Sequence, residues 1–224
     1  MSARDREDTK ARLLAAASDL FAERGFHGTK ARDIAERAGV NLAASNYHYG
    51  SKRQLYLEVL RAQFAEIRAR LNRHGAGRPA RGLRRMSRRE LGELLRTRCQ
   101  VMFDLLIGPP PGLHGALMQR EMTDPSEALP VIVEEFITPM LQEMKDVIAG
   151  LAPGLSPNQI ERCAVSILGQ VVFYRFSRAA TLLRWGLEEY PRGLARELAE
   201  HVTEFSLGGL ERLTKQRQRK RHAR

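Results

Sequence analysis

Two cysteines in 224 residues, Cys99 and Cys163, are too few and too far apart for a disulfide framework. They fit free thiols in a reducing compartment, so the cytoplasm is the expected location. No apolar run is long enough to cross a bilayer, and no membrane partner is expected. The first ten residues are charged and lack the apolar centre of a secretory signal. The alternation of apolar and polar residues that marks strands is missing throughout. Nucleophile-elbow, phosphate-loop, dinucleotide-fold and zinc-protease signatures are missing too. The six histidines are dispersed, without ligand spacing, and Cys99 has no evident base. Catalytic residues, a metal and a cofactor are therefore not expected.

What is present is helical. Apolar residues make up 43% of the chain, enough for a substantial core. The length suits a small head with a larger domain, or one large domain. The net charge of +11 is unevenly spread. Residues 73–90 carry +6 and residues 212–224 carry +7, whereas residues 91–211 carry −6. Basic ends on an acidic body fit a polyanion-binding end, and equally fit solvated linkers and tails.

The 3.6-residue period predicts a first helix over about 8–24, with Leu13, Leu14, Ala17, Leu20 and Phe21 on one face and Gly25 as its stop. Thr29 is the expected cap of a short helix, Lys30 to Ala38, and Gly39-Val40 turns the chain. A second short helix follows over about 42–47. Ser51 to Gln54 reads as a capping box opening a long helix to about Leu71. Residues 73–86 hold three glycines, a proline and five arginines, and are expected to form a linker without a core. Helices are then expected near 87–107, 114–123, 126–150, 156–185 and 191–218. Pro139 should kink or end the third of these. The basic tail is expected to fray.

Two short helices joined by a glycine turn are the plan of a helix-turn-helix, with Ile34, Ala38 and Val40 as its small core and Ala35 small where the helices cross. Its second helix would stand clear and enter the roughly 12 Å wide major groove of DNA.

Residues 13–26, the stretch Thr29 through Val40, and Asn46-Tyr47-His48-Tyr49-Gly50-Ser51-Lys52 through Tyr56 resemble the first four helices of the TetR family. The variant Asn41-Leu42-Ala43-Ala44, with Arg120-Glu121-Met122, Asp124-Pro125, Pro139 and Ser166 to Gln170, is similar to its CerR-like branch. The resemblance implies an all-α protein. Its three-helix head would span 1–60, with helix 4 running to about 72. The linker 73–86, a ligand-sensing and dimerising domain over 87–218, and a basic tail over 219–224 would follow. It implies a ligand pocket and a homodimer on a palindromic double-stranded operator. A dimer on a promoter blocks polymerase by occupancy, so repression is expected, and an apolar, methionine-rich lining suits a small amphipathic or aromatic molecule as the releasing effector.

Carried over by position, Thr29, Lys30 and Lys52 are phosphate-holding candidates. Tyr47 and His48 are rings against phosphate or base. Leu42, Ala43, Ala44 and Asn46 face the groove, with Asn46 suited to adenine and the alanine methyls to thymine. Arg32 is the one arginine near enough to read guanine. Relative to the common family pattern, Asn46 replaces tyrosine, position 42 is apolar and Gly50 replaces a basic residue. The head is thus poor in phosphate cations, and the Arg-rich linker or tail is expected to compensate.

Dimerisation would use the last two long helices, through Ile160, Cys163, Ala164, Ile167, Leu168, Val171, Val172, Tyr174, Phe176 and Ala179 on one, where Gly169 permits close approach, and Leu194, Leu198, Val202, Phe205 and Leu210 on the other. The effector pocket would draw on Met102, Phe103, Met118, Arg120, Met122, Phe136, Met140, Phe173 and Tyr174. The same methionines fit an ordinary core. The rival reading is a helical adaptor with an incidental basic end.

Overall fold

In the computed structural model, residues 3–77, 80–108 and 113–222 are described, apart from the side chains of 3, 44–47, 80, 81, 113–115 and 220–222. The described residues are helical and contain no strand. No helix among them is long and apolar enough to cross a membrane. The chain divides into two compact units, Met1–Glu66 with Leu113–Phe136, and Ile67–Gly112 with Ile137–Arg224. The segment 113–136, which chain order places with the larger domain, is thus counted with the head.

The first unit opens with α1 (Ala3–Gly28), which bends at Gly25, where φ is +72° and only glycine is unstrained. Leu13, Ala17, Leu20 and Phe21 are buried as the period requires, and Leu14 is half-buried. Next come α2 (Ala31–Arg37), α3 (Leu42–Tyr49) and α4 (Lys52–Arg73), whose last turns are counted with the second unit. Phe21, Phe26 and Tyr56 meet edge-on, stacked or tilted at centroid distances of 4.8–6.1 Å. Each such ring contributes on the order of 2–3 kcal/mol by its burial. The remainder of this unit is α7 (Leu113–Thr123), α8 (Leu129–Ile132) and most of a π-helical turn, Val133–Ile137. Phe136, in that turn, stacks on Phe64 of α4 at 4.1 Å.

The second unit holds α5 (Ala80–Leu83), α6 (Arg88–Ile107), α9 (Thr138–Leu151), α10 (Pro157–Phe176), α11 (Arg178–Trp185) and α12 (Leu194–His222). Leu95, Cys99 and Phe103 of α6, Val147 and Ile148 of α9, Ile167 and Val171 of α10, and Val202 of α12 share one core. Capping boxes start α6 at Ser87 with Glu90 and α10 at Ser156 with Gln159. Cys99 and Cys163 are free thiols, and burial pushes the Cys99 thiol up to about 11.

Several expectations fail here for physical reasons. The segment 73–86 is not coreless: Ala76 and Leu83 are buried in the second unit's core and Met86 packs against it. The interruption near Pro139 is a π turn ending just before the proline, not a simple kink, and wider backbone bonding there tolerates the missing N–H. The 156–185 pattern is two helices, parted at Ser177. The described part of the tail continues α12 to His222, as a run of good helix formers permits, and the last two residues lie outside the described ones.

Candidate nucleic-acid interface

The site is built on the end of α1. The Gly25 bend interrupts the helical bonding of α1, so carbonyls on either side of it need donors from outside the helix. Three side chains supply them. The Thr29 hydroxyl donates to Leu20 O at 3.1 Å and to Gly25 O at 2.8 Å. Lys52 Nζ donates to Phe26 O at 2.9 Å and Thr29 O at 3.1 Å, and sits 4.1 Å over the Phe26 ring. Arg120, on α7, donates through Nε to Ala22 O at 2.9 Å and through Nη2 to Glu23 O. Cations at the negative end of a helix dipole are favourable on both counts.

This frame positions the helix-turn-helix. Ile34, Ala35 and Ala38 are buried between the short helices, with Val40 at the edge. Gly39 turns the chain at φ +65°, a left-handed angle that favours glycine. Arg12 of α1 donates to Ala38 O at 3.2 Å and so pins that turn. Arg24 reaches Asp33 of α2 at 3.4 Å. At the far end of α3, the Tyr49 hydroxyl donates to Lys10 O at 2.9 Å. Burial, with Glu58 and Glu7 adding, pushes the Tyr49 phenol up to about 12. Below this lies a buried polar knot. Tyr56 Oη donates to Glu121 Oε2 at 2.8 Å, and Glu121 Oε1 accepts from the Ser126 N–H and hydroxyl at 2.9 and 3.0 Å. Burial foremost, with the Glu121 contact, raises the Tyr56 phenol well above its ordinary range.

Held this way, α3 leaves Leu42 and Ala43 exposed, with Asn41 exposed just before it, and Leu42 is 42% accessible. Lys30 and Arg32 are also exposed, at the start of α2, and His48 is half-buried on α3. The side chains of Ala44, Asn46 and Tyr47 lie outside the described residues, although the backbone there is helical. Two expected phosphate contacts have other duties. Thr29 is fully buried with its hydroxyl turned into α1, and it is Lys30, without a side-chain bond, that caps α2. Lys52 binds two carbonyls of its own unit. Tyr49, Arg12 and Arg120 were not singled out as supports of the recognition helix. Tyr49 lies in the stretch Asn46 to Lys52 that carries the family resemblance, and Arg120 is an effector-pocket candidate, but neither signal points to a bracing role.

The nine effector-pocket candidates do not gather in one place within either unit. Met118, Arg120, Met122 and Phe136 belong to the first unit, where Arg120 holds α1, Met122 is exposed and Phe136 stacks on Phe64. In the second, Phe103 is buried in the core, with Met102, Met140 and Tyr174 packed against it, and Phe173 is exposed. A cleft of about 280 Å³ in that unit is lined instead by Gln100, Asp104, Ile107, Tyr190 and Leu194, among others. It falls just short of the roughly 300 Å³ at which small-molecule pockets begin. Of the residues expected at a dimer face, Ala164, Ile167, Leu168, Val171, Leu198, Val202 and Leu210 are buried in the unit's own core, and Ile160, Cys163, Tyr174 and Leu194 pack against it. Phe176 and Phe205 remain exposed, as does Phe173, a candidate for the effector pocket instead.

A helical chain with a supported, outward helix-turn-helix is a DNA-binding transcription regulator. Comparison with known proteins gives its family. Residues 13–59 match the model of bacterial regulatory proteins of the TetR family. Residues 91–210 match the C-terminal domain of the HTH-type transcriptional dual regulator CecR. The chain therefore belongs to the TetR family of regulators, in the branch with the CecR C-terminal domain. It is 29% identical over 201 residues to the dual regulator CecR of Shigella flexneri, covering 88% of this chain and 89% of that one. It is 48% identical to the regulator RutR of Escherichia coli over 52 residues, only 23% of this chain and 24% of that one. In fold it is similar to FadR of Bacillus subtilis, solved with stearoyl-CoA, at a TM-score of 0.65 and 16% identity over 89% of this chain and 98% of that one. It is also similar to a TetR-like regulator of Rhodococcus sp. RHA1, at 0.64 and 21% identity over 93% and 99%.

Proposed function

We propose that this protein is an operator-binding repressor that works as a two-fold dimer and is released by a small amphipathic or aromatic effector. The observation that carries the proposal is the start of α3, whose exposed Leu42 and Ala43 are offered outward while Arg12 and Tyr49 pin the turn before it and the end behind it to α1. A leucine and alanine edge suits thymine methyls, and Asn46, Tyr47 and His48 follow on the same short helix. Lys30 and Arg32 supply the phosphate and base-edge cations.

The second copy is supported by the outer faces of α10 and α12. Val165, Phe173 and Phe176 on α10 and Phe205 on α12 are exposed, with Gly169, Gly208 and Gly209 leaving open space for close approach. Two helices of this kind from each subunit make a four-helix seam. Two heads then meet half-sites one DNA turn apart, roughly 34–36 Å. For the effector, the methionines Met102 and Met140 beside the second unit's core provide an adaptable wall. FadR of Bacillus subtilis, which shares the fold, holds stearoyl-CoA, so long apolar acyl compounds are a sensible first screen. The effector would act by favouring a dimer whose heads are wrongly spaced.

The test is a footprint on the DNA upstream of the protein's own gene, paired with in vitro transcription. A palindromic protected site and reduced transcript are expected. Phe173→Glu with Phe205→Glu should give a monomer by ultracentrifugation and weaken operator binding about 100-fold, through loss of the second head. An unprotected upstream region, or a monomer that binds as tightly as the parent, overturns the reading. Increased transcript would instead favour activation, a direction that the description of the Shigella flexneri relative as a dual regulator leaves open.

A further inference from the structure

Two basic segments far apart in sequence meet at one end of the second unit. Arg84, Arg85, Arg88 and Arg89 lie between α5 and the first turn of α6, and all four are exposed. Arg212, Lys215 and Arg219 are exposed on the final turns of α12, the helix most extensively packed on α6. Glu211 ties the two together, 3.9 Å from Arg88 and 2.5 Å from Lys215. Leu83 is buried in the same core on which Met86 and Leu213 pack. Arg217 completes the junction by donating to Gln159 at the start of α10, at 2.7 Å.

The charge at this end is barely compensated. Glu211 serves Arg88 and Lys215, and the carboxylate of Glu90 accepts from the Ser87 N–H and hydroxyl in the capping box. Arg84, Arg85, Arg89, Arg212 and Arg219 have no carboxylate partner among the described residues. Elsewhere on this unit Arg68 and Arg96 are paired with glutamates, while Arg162, Arg184, Arg192 and Arg196 are exposed singly, so what sets this end apart is the density of its charge. A protein gains nothing in stability by massing like charge on one end, because self-repulsion opposes it.

We infer that this basic end binds the phosphate backbone of duplex DNA, without regard to sequence, as a second DNA contact separate from the helix-turn-helix. Exposed arginines on rigid helices suit phosphate oxygens. Each phosphate neutralised releases counterions and steepens the salt dependence of binding by about 0.9. Duplex DNA is favoured over an anionic membrane because, among the described residues, this end shows no apolar insertion face of the kind interfacial helices pair with their cations: Leu83, Met86 and Leu213 are turned into the core.

The experiment measures full-length protein on a 60-base-pair duplex of random sequence across a salt series. Because that duplex carries no operator, its outcome is independent of operator recognition. The variant combines Arg84→Gln, Arg85→Gln, Arg89→Gln, Arg212→Gln and Arg219→Gln, and the control combines Arg184→Gln and Arg192→Gln. The slope of log affinity against log salt should fall in magnitude by about three to four in the variant and by less than one in the control. A set carrying lysine at the same five positions should restore the slope, since a point charge suffices for phosphate. If the glutamine variant loses its fold by thermal melting, the lysine set and two half-sets, residues 84–89 and 212–219, are read instead, each half removing about half the effect. An unchanged slope overturns the inference. So does loss of binding to phosphatidylserine-containing vesicles with the DNA slope intact, which would assign the surface to a membrane.

Discussion

Both units tie some cations to carbonyls and carboxylates, and they differ in where the uncompensated ones gather. In the first, Arg12, Lys52 and Arg120 donate to main-chain carbonyls, and Arg61 is clasped by Glu58 and Glu135 at 2.7 and 2.8 Å. In the second, Arg98 is buried and bound to the carbonyls of Ala76 and Glu143, while the arginines near 84–89 and 212–219 are left in solvent. A basic residue in a DNA-binding head is thus no evidence of a DNA contact until its partner is known. Here the head commits Arg12, Lys52 and Arg120 to main-chain carbonyls and leaves Lys30 and Arg32 exposed, while the densest exposed charge is massed elsewhere.

That contrast can be broken most forcefully at the buried knot behind the helix-turn-helix. Glu121→Ala strands the Tyr56 hydroxyl and both Ser126 donors in the interior, and should destabilise the protein by about 3 kcal/mol in urea unfolding. A cost under about 1 kcal/mol would mean the segment 113–136 does not brace the head.

The next effect separates supporting cations from DNA-facing ones. Lys52→Met removes donors from two carbonyls and should cost about 1–2 kcal/mol of stability, leaving the salt slope of operator binding unchanged. Lys30→Gln should do the reverse, with stability unaltered and the slope reduced by about one. If both variants change the slope equally, the distinction drawn between the two lysines fails.

The smallest effect belongs to Tyr49. Tyr49→Phe removes one hydrogen bond, worth about 1 kcal/mol at neutral pH. The folded phenol titrates near 12 against an ordinary value of 10, so the native state keeps its proton longer than the unfolded chain does. That stabilisation is whole below pH 10 and is lost as the pH climbs to about 12. The phenylalanine variant should show a shallower alkaline decline over that window, with the Tyr56 share of the decline remaining. Identical alkaline curves would count against a buried, bonded Tyr49.

Much of the head was legible because short-range rules dominate it. Apolar spacing placed Leu13, Leu20, Phe21, Ile34 and Ala38 in the interior, and Gly39 marked its turn. The roles of Thr29 and Lys52 were not legible, since the sequence shows a hydroxyl and an amine but not which carbonyls lie within reach. Only the fold brings α7 to α1 and so reveals what Arg120 does. The 73–86 stretch misled because a few apolar side chains, Ala76, Leu83 and Met86, anchor a segment whose composition is otherwise that of a linker. The effector residues were least legible, because methionine marks a pocket and an ordinary core alike.

The clamp on α1 has a consequence for anyone recombining these regulators. Chain order invites a single cut after residue 66, yet the piece so released would leave behind the guanidinium and carboxylate that it leans on, more than 50 residues downstream. A chimera that borrows this recognition helix must import two separate stretches of polypeptide and be spliced at three joins. Modularity in this chain is a property of its surface, not of its covalent order.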